Sequence, residues 1–250
     1  MATELHILSV PGIPEVTAGA DIAAAIADAV RRANLDLQRG DAIVVAQKLV
    51  SKAEGAVVRL SDVTPSPLAS EWAARYGKDP AAVEVVLRES RRIVRMDRGI
   101  IIAETRHGFV CANAGVDASN VPAGTVTILP RDPDASAARI QAGLTARFGV
   151  PLAVIVADTF GRPWREGTVN VALGVAGFQP LLDWRGKTDP HGRVLQTTVV
   201  AIADEVASAA ELVMGKTAQV PAAIVRGAGE WLGGGSATAL IRPASADLFR

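Results

Sequence analysis

The chain has 250 residues, of which 49% are hydrophobic and only 4% aromatic, so its core is expected to consist mainly of Ala, Val, Ile and Leu. Its 26 basic and 26 acidic side chains cancel, which argues against nucleic-acid and membrane partners. A single cysteine excludes an internal disulfide, and no apolar run reaches the roughly 18 residues of a membrane helix. Together with an N-terminus unlike a signal peptide, these features predict a soluble cytoplasmic protein.

Apolar patterns predict alternating strands and helices along the chain. Strands are predicted for residues 5–10, 42–46, 93–96, 99–103, 154–157, 194–200 and 222–225. Helices are predicted for 22–34 after the cap Asp21, and for 68–76, 81–90, 135–148 and 201–214, the last with Ile202, Val206 and Leu212 as its apolar side. An apolar segment punctuated by glycines spans 169–177 and indicates close packing or bulges.

The most informative stretch begins with the apolar run 154–157, which is typical of a strand buried on both faces. Gly161 and Pro163 are expected to stop this strand, leaving Asp158 and Thr159 at its end. Carboxylate and hydroxyl oxygens suit hard cations such as Mg²⁺. A strand-end aspartate that caps its own turn is the alternative interpretation.

Polar residues also follow the apolar run 42–46, where Gln47, Lys48 and Lys52 stand close together. Strand ends of an open sheet are common ligand sites. These lysines are therefore interpreted either as part of such a site or as a solvated strand end.

Small and polar residues crowd the segment 104–121, where Asp117 offers a second carboxylate in a tight bend. Small residues let the backbone approach a ligand closely. Within the same segment, His107 is interpreted as a hydrogen-bonded structural histidine, and Cys111 as a small buried hydrophobe.

Seven segments in order along nearly the whole chain together resemble the coenzyme F420-0:L-glutamate ligase family, the F420 gamma-glutamyl ligases. They are Gly12-Ile13-Pro14, Val50-Ser51-Lys52-Ala53-Glu54-Gly55, Asn113-Ala114-Gly115-Val116-Asp117-Ala118-Ser119-Asn120-Val121, Leu129-Pro130 with Asp132-Pro133-Asp134, Asp158-Thr159-Phe160-Gly161-Arg162, Gly174-Val175-Ala176-Gly177, and Ala203-Asp204-Glu205. The resemblance implies GTP-dependent formation of an amide between the terminal carboxylate of F420-0 and the amine of L-glutamate. Addition of further γ-linked glutamates is an extension of the same reaction.

The resemblance also implies a fold and a set of contacts. The fold is α+β, a two-domain subunit with a large, mainly antiparallel sheet flanked by helices, in an intertwined homodimer. The whole chain, 1–250, would form one ligase unit with two subdomains, the smaller one covering roughly 60–150. Asp117 and Asp158 would bind one divalent cation and Thr159 a second, as Mg²⁺ or Mn²⁺, with K⁺ as a further candidate ion. GTP would contact Ile13, Pro14, Glu15, Val16, Gln47, Lys48, Lys52, Asn120, Met214, Gly215 and Lys216.

Two positions depart from the family pattern. Lys216 stands where many relatives carry an acidic ligand of the second cation, so its ammonium would either displace that cation or neutralise phosphate charge. Gln47 and Lys48 stand where many relatives have small hydroxyl residues. The alternatives are therefore an amide ligase for a different acid acceptor and a non-catalytic nucleotide-binding sensor.

The chemistry expected of the family requires activation, since a carboxylate does not react with an amine unaided. The expected intermediate is an acyl phosphate, formed largely through positioning and charge stabilisation. No general base and no covalent nucleophile is assigned from the sequence. Arg162 and Arg165 are our own candidates for binding the phosphate arm of F420-0 or the incoming glutamate.

Overall fold

Twelve strands and six α-helices lie within residues 4–247, the part of the chain described by the structure, a computed structural model. The strands are β1 His6–Ser9, β2 Ala42–Ala46, β3 Val57–Arg59, β4 Ser90–Asp97, β5 Ile100–Thr105, β6 Val110–Ala112, β7 Thr125–Thr127, β8 Ala153–Arg162, β9 Arg165–Ala176, β10 Leu182–Asp183, β11 Val199–Val200 and β12 Ala222–Arg226. The α-helices are α1 Ile22–Arg32, α2 Gln47–Ala53, α3 Pro67–Tyr76, α4 Pro80–Glu89, α5 Pro133–Phe148 and α6 Ile202–Met214.

The largest sheet has five strands in the order β1-β12-β2-β8-β9. Only β2 and β8 are parallel neighbours, and the other three pairings are antiparallel. The predicted α+β class and the mainly antiparallel sheet are therefore confirmed.

Helices cover both faces of this sheet because its central strands are apolar throughout. Successive side chains of a strand point to opposite faces. Ile43 and Val154 accordingly pack with α1 and α5, whereas Val44 and Ile155 pack with α6 on the other face. All four side chains are fully buried, which places the parallel pair at the centre of the molecule.

The helix ends follow from local chemistry. The Asp21 carboxylate accepts a hydrogen bond from the Ala24 N–H at 2.9 Å and caps α1, as predicted. Asp132 caps α5 in the same way, and Gly149, at φ +70°, ends that helix in the left-handed conformation. On α5, Ile140 and Leu144 are buried and lie one helical turn apart on the side that packs on the sheet.

A second layer lies beside the main sheet. The three-stranded sheet β4-β5-β6 packs one face against α3 and α4, and β3 pairs with β7 in a short ladder. Apart from β3, which ends at Arg59, this cluster falls within the range predicted for the smaller subdomain. The division into two subdomains stays a prediction.

Three details of the sequence-based prediction are wrong. Gly161 does not stop its strand, because β8 stays paired with β9 as far as Arg162 and the chain turns at Pro163 and Trp164. Asp158 is therefore inside a strand and does not cap a turn. Of the predicted strand 194–200, only β11 forms a strand, paired with β10, and Val194 makes an isolated bridge to Thr188; most of the preceding loop is exposed.

The third error concerns α6, where Leu212 is 82% exposed. Its position is six residues after the buried Val206, which at 3.6 residues per turn places it about 120° around the helix from Val206 and away from the buried side. Ala210 and Met214, at spacings of four and eight, continue the buried stripe instead. No helix within residues 4–247 is both long and apolar enough to cross a lipid bilayer.

Candidate active site

The site begins where the parallel pair of central strands ends. Ala46 of β2 and Ala157 of β8 are the last residues at which these two strands pair with each other. Beyond them the β2 chain turns into α2 at Gln47, while β8 continues as a two-stranded ribbon with β9. This divergence opens a space beside Asp158. In open sheets, ligands commonly bind at the carboxyl ends of the strands, which is where this space lies for β2.

A cavity of about 800 Å³ occupies this space. All the residues predicted from the family resemblance line it: Ile13, Pro14, Glu15, Val16, Gln47, Lys48, Lys52, Asp117, Asn120, Asp158, Thr159, Met214, Gly215 and Lys216. They come from the segment after β1, from α2, from the bend after β6, from β8 and from the end of α6. The structure thus brings them together, while their individual roles stay predictions.

A sharp bend carries Asp117 into the cavity wall. Asn113, Ala114 and Gly115 all have positive φ, at 52°, 51° and 74°. The chain then forms an isolated bridge in which the Asp117 N–H donates to the Thr127 carbonyl at 3.1 Å and the Thr127 N–H donates back at 2.8 Å. This backbone anchor holds Asp117 on the side of the cavity opposite the main sheet.

Lys48 binds the Asp117 carboxylate directly, with 2.6 Å between Nζ and Oδ2. The Ser119 N–H donates to the other carboxylate oxygen, also at 2.6 Å. Burial alone would raise the pKa of Asp117, but the hydrogen bonds from Lys48 and Ser119 outweigh it and lower the pKa. Asp117 is therefore held as an anion.

Asp158 has the opposite electrostatic character. Burial raises the pKa of Asp158 to about 6, and repulsion from the Asp117 carboxylate adds to the rise. The hydrogen bond from the Thr159 N–H lowers this pKa but does not cancel the effect of burial. The positive charges of Lys48 and Lys216 lower the pKa of Asp158. The two carboxylates thus repel each other across one cavity, and a cation between them would relieve that repulsion.

α2 contributes two further polar groups. The Lys52 ammonium forms an ion pair with Glu15 at 2.5 Å, which ties α2 to the segment after β1. The Gln47 side chain is only 1% exposed, and its Oε1 accepts from the Ser51 hydroxyl at 2.8 Å. Its Nε2 has no hydrogen-bond partner among the described residues. The alternative of a solvated strand end is therefore wrong for Lys52, whose side chain is 11% exposed.

The opposite wall contains a chain of polar contacts that the sequence did not reveal. The Lys216 ammonium contacts the Thr159 hydroxyl and forms an ion pair with Glu211 at 3.1 Å. The Thr159 hydroxyl in turn donates to the Asn170 Oδ1 at 2.8 Å. Glu211 and Asn170 both line the cavity. An available signal was the polar Asn170 between two valines of an apolar strand; Glu211 had none, because acids are ordinary in helices.

Residues 12–227 match the model of the family described as F420-0:Gamma-glutamyl ligase. The chain belongs to this family. The resemblance inferred from the seven segments is confirmed, and the protein is a ligase.

Individual relatives of the ligase agree over most of its length. The coenzyme F420:L-glutamate ligase of Methanothermobacter thermautotrophicus is 51% identical over 98% of this chain and 99% of the relative. The protein of the same name from Methanopyrus kandleri is 48% identical, with 98% of each chain covered. The one from Methanocaldococcus jannaschii is 46% identical over 87% of this chain and 88% of its own.

The ligase has a donor set that fits a divalent cation bound together with phosphate. Within residues 4–247 no three His, Cys, Asp or Glu side chains are grouped closely enough to hold a metal alone. Asp117 and Asp158 supply two carboxylates. Proteins commonly bind Mg²⁺ through one or two carboxylates, with phosphate oxygens and waters filling the other positions.

Four other residues of the ligase lie outside the cavity lining. Arg162 donates to the Glu166 carbonyl at the hairpin tip, and Arg165 is exposed beside it. Neither lines the cavity of this single chain. The His107 Nε2 hydrogen-bonds the carbonyl of Pro130 at 2.9 Å, which confirms its structural interpretation. Cys111 is buried, as predicted, and burial raises its pKa to about 12.

Proposed function

We propose that this ligase joins L-glutamate to F420-0 in a GTP-dependent reaction through an acyl phosphate, and that the cavity at the end of β2 and β8 is its active site. The names of the relatives support the acceptor and the amino acid. The observation that carries the proposal is the meeting of Asp117, Asp158 and three lysines around one cavity of about 800 Å³.

The nucleotide phosphates are proposed to lie between Lys48, Lys52 and Lys216. An ammonium group binds phosphate as a compact point charge. Lys52 is only 11% exposed and already points into the cavity toward Glu15. Phosphate would compete with the largely exposed Glu15 carboxylate for the same ammonium, so binding would release Glu15 rather than move Lys52.

The proposed reaction has two transfers. An oxygen of the acceptor carboxylate attacks the γ-phosphorus of GTP, and the bond from that phosphorus to the bridging oxygen breaks, releasing GDP. The glutamate amine then attacks the acyl carbon, the bond between carbon and phosphate oxygen breaks, and inorganic phosphate leaves. The amine loses its proton in this step, so that the product is a neutral amide.

The residues of the chain position and stabilise these groups. A divalent cation held by Asp117 and Asp158 would supply positive charge to the phosphates. Lys48 keeps Asp117 ionised through its 2.6 Å contact and so prepares that carboxylate as a ligand. Asn120 and the segment 13–16 border the same cavity and would contact the nucleotide.

The direct test incubates the purified protein with F420-0, GTP, L-glutamate and Mg²⁺. Mass spectrometry should detect F420-0 extended by a glutamyl residue, with GDP and phosphate formed in equal amounts. GTP consumption only with another acid would support a different acceptor. Nucleotide binding without any turnover would leave a sensor and contradict the proposal.

The substitution Asp117→Asn tests the site itself. Removing one group that stabilises developing charge typically costs about 10²–10³ in turnover, so kcat should fall by at least 100-fold. Asp28→Asn is the matched control, because Asp28 is an exposed aspartate on α1 whose one ion pair among residues 4–247 is with Arg31. Equal activity of the two variants would remove Asp117 from the proposed cation site.

We also propose that the ligase acts as a homodimer in the cytoplasm, as the family resemblance implies. In the single chain, the β8–β9 ribbon extends past the end of β2, and Trp164 at its tip is 80% exposed. A projecting ribbon with a large exposed aromatic side chain is suited to packing against a second subunit.

A further inference from the structure

We propose that the Lys216 ammonium is a built-in cation beside Thr159, so that this ligase binds one divalent cation per active site with its nucleotide, not two. The inference rests on the proposed function, since it concerns the cation that accompanies the nucleotide. It is carried by the contacts of Lys216, Glu211 and Asn170, to which the family resemblance assigns no role as a group.

The position of Lys216 follows from the end of α6. Gly215 has φ +62° and ends the helix, which turns the next residue toward the cavity. The Lys216 ammonium then contacts the Thr159 hydroxyl on β8, a residue 57 positions away in sequence. An ion pair with Glu211 alone would be an ordinary surface contact of small value. The contact with Thr159 instead directs the ammonium into the site.

The atoms around this ammonium are those that a hard cation would choose. Glu211 supplies a carboxylate oxygen at 3.1 Å, and Thr159 supplies its hydroxyl oxygen. Thr159 donates its own proton to the Asn170 Oδ1, which leaves its lone pairs available to Lys216. Asn170 is only 6% exposed, so this orientation of the hydroxyl is fixed from the protein side. The Lys216 ammonium thus already occupies the position between the Glu211 and Thr159 oxygens that a second cation would need.

The balance of charges in the cavity points to the same conclusion. The charged side chains that line it are the acids Glu15, Asp117, Asp158 and Glu211 and the bases Lys48, Lys52 and Lys216. Each lysine forms an ion pair with a different acid, namely Asp117, Glu15 and Glu211. Among the residues in the described range, Asp158 is the one acid of this set without such a pair.

One divalent cation next to Asp158 and Asp117 would change the net charge of the lining side chains from −1 to +1, which suits an anionic nucleotide. The first cation also meets a carboxylate held by a lysine, Asp117, but it gains Asp158, which has no ion pair in the described range. A second divalent cation at Thr159 would find only the Glu211 carboxylate, would have to displace the Lys216 ammonium from it, and would then lie against a like charge. Because an ammonium has three donors, the contacts with Thr159 and Glu211 leave one for an anionic group in the cavity. Lys216 thus becomes a direct contact for phosphate rather than a competitor of the nucleotide.

The test counts bound metal and does not depend on turnover. The protein is saturated with Mn²⁺ and a GTP analogue whose β,γ-bridging oxygen is replaced by NH, and bound Mn²⁺ is quantified by electron paramagnetic resonance. Wild type should hold one Mn²⁺ per chain. Lys216→Ala should hold two, because Glu211, Thr159 and Asn170 then become free to bind the second ion.

Two further variants make the result specific. The double variant Lys216→Ala with Glu211→Ala should return to one Mn²⁺, because the carboxylate needed for the second ion is gone. Lys187→Ala, which removes an exposed lysine that stacks on Trp184 outside the cavity lining, should keep one.

Each other outcome has a definite meaning. Two Mn²⁺ ions in wild type would overturn this inference and leave the proposed function intact. An unchanged count of one in Lys216→Ala would also overturn it, since the ammonium would then not be what excludes a second ion. No Mn²⁺ in wild type would overturn both this inference and the proposed cation site at Asp117 and Asp158.

Discussion

Gly115 determines how the chain approaches Asp117. It has φ +74°, and a Cβ built on it would lie 2.7 Å from the Leu129 side chain, which is itself buried. A side chain at this position would meet both backbone strain and steric overlap. The bend before Asp117 therefore depends on a residue without a side chain.

The substitution Gly115→Ala should consequently destabilise the fold by about 2–4 kcal/mol. Gly124→Ala is the control, because Gly124 has nearly the same φ, +76°, but nothing within 4 Å of a built Cβ. Its cost should be only about 1 kcal/mol, from the backbone conformation. Urea denaturation of both variants measures the difference. Equal costs would show that Leu129 moves aside freely.

Glu84 provides a pH-dependent contribution to stability. Its carboxylate accepts from the Ser66 N–H at 3.0 Å and from the Arg88 Nε at 2.9 Å. Hydrogen bonds from Ser66, and after them the Arg88 guanidinium, lower the pKa of Glu84 from 4.5 to about 2. A carboxyl group whose pKa is lower in the folded state stabilises that state above its unfolded pKa. This stabilisation is lost as the pH falls toward the folded pKa.

Glu84→Gln should therefore be less stable than wild type by about 2 kcal/mol at pH 6. The difference should begin to shrink once the pH falls below 4.5, the ordinary pKa of this group. Urea denaturation at several pH values from 6 to 3.5 measures the gap, and Glu71→Gln, on the exposed side of α3, serves as the control. A gap that stays constant over this range would contradict the assignment.

Single residues were predictable from the sequence where composition and position both marked them. Asp158 and Lys48 each follow an apolar run, and this placement led to the cavity. Glu211 lies 5 residues from its partner Lys216, and Asn170 lies 11 residues from its partner Thr159. Lys216 and Thr159 are 57 residues apart, so only the fold brings these two pairs together. Contacts between the end of α6 and β8 cannot be predicted from the local sequence, because the local sequence does not determine the angle at which α6 crosses the sheet.

At the scale of elements, Asp134 joins three separate parts of the chain. From the first turn of α5, its carboxylate accepts from the Val175 N–H at 2.7 Å on β9. It also accepts from the Ser236 hydroxyl at 2.6 Å and the Ala237 N–H at 3.1 Å. A helix, a strand and the segment after β12 are thus held by one side chain.

Removing this carboxylate in Asp134→Ala should destabilise the protein by about 3 kcal/mol, because buried N–H groups lose their acceptor. Asp132→Ala removes only the cap of the same helix and should cost about 1 kcal/mol. Urea denaturation compares the two, and proteolysis after residue 230 should accelerate only in Asp134→Ala. Similar losses in both variants would mean that Asp134 acts merely as a second helix cap.

The elements themselves were mostly predictable, since each has its own periodicity and end signals. The failures arose where pairing overrode local preference. Gly161 lies inside β8 because β9 supplies a partner along its whole length. The apolar residues of 194–200 found almost no partner strand and stayed mostly irregular. Strand length depends on what lies alongside, which a sequence pattern does not contain.

At the scale of the whole molecule, the proposed homodimer leads to a measurable mass. Light scattering coupled to size-exclusion chromatography should give the mass of two chains. Trp164→Glu, at the exposed ribbon tip, should shift the protein toward the mass of one chain, because a charge would oppose packing of that surface. Leu212→Glu introduces the same charge at another exposed apolar side chain and is the control. A single-chain mass for wild type would contradict the dimer.

The paired ends of β2 and β8 also bear on how such an enzyme can change over time. Because side chains alternate between the faces of a strand, inserting or deleting one residue between 153 and 157 would turn Asp158 toward the opposite helix layer. Length in this buried segment is therefore far less free to drift than length in the exposed stretch 184–198. A changed preference for the acceptor would therefore be expected to arise from changes in exposed loops such as 184–198, while the length of β8 stays constant.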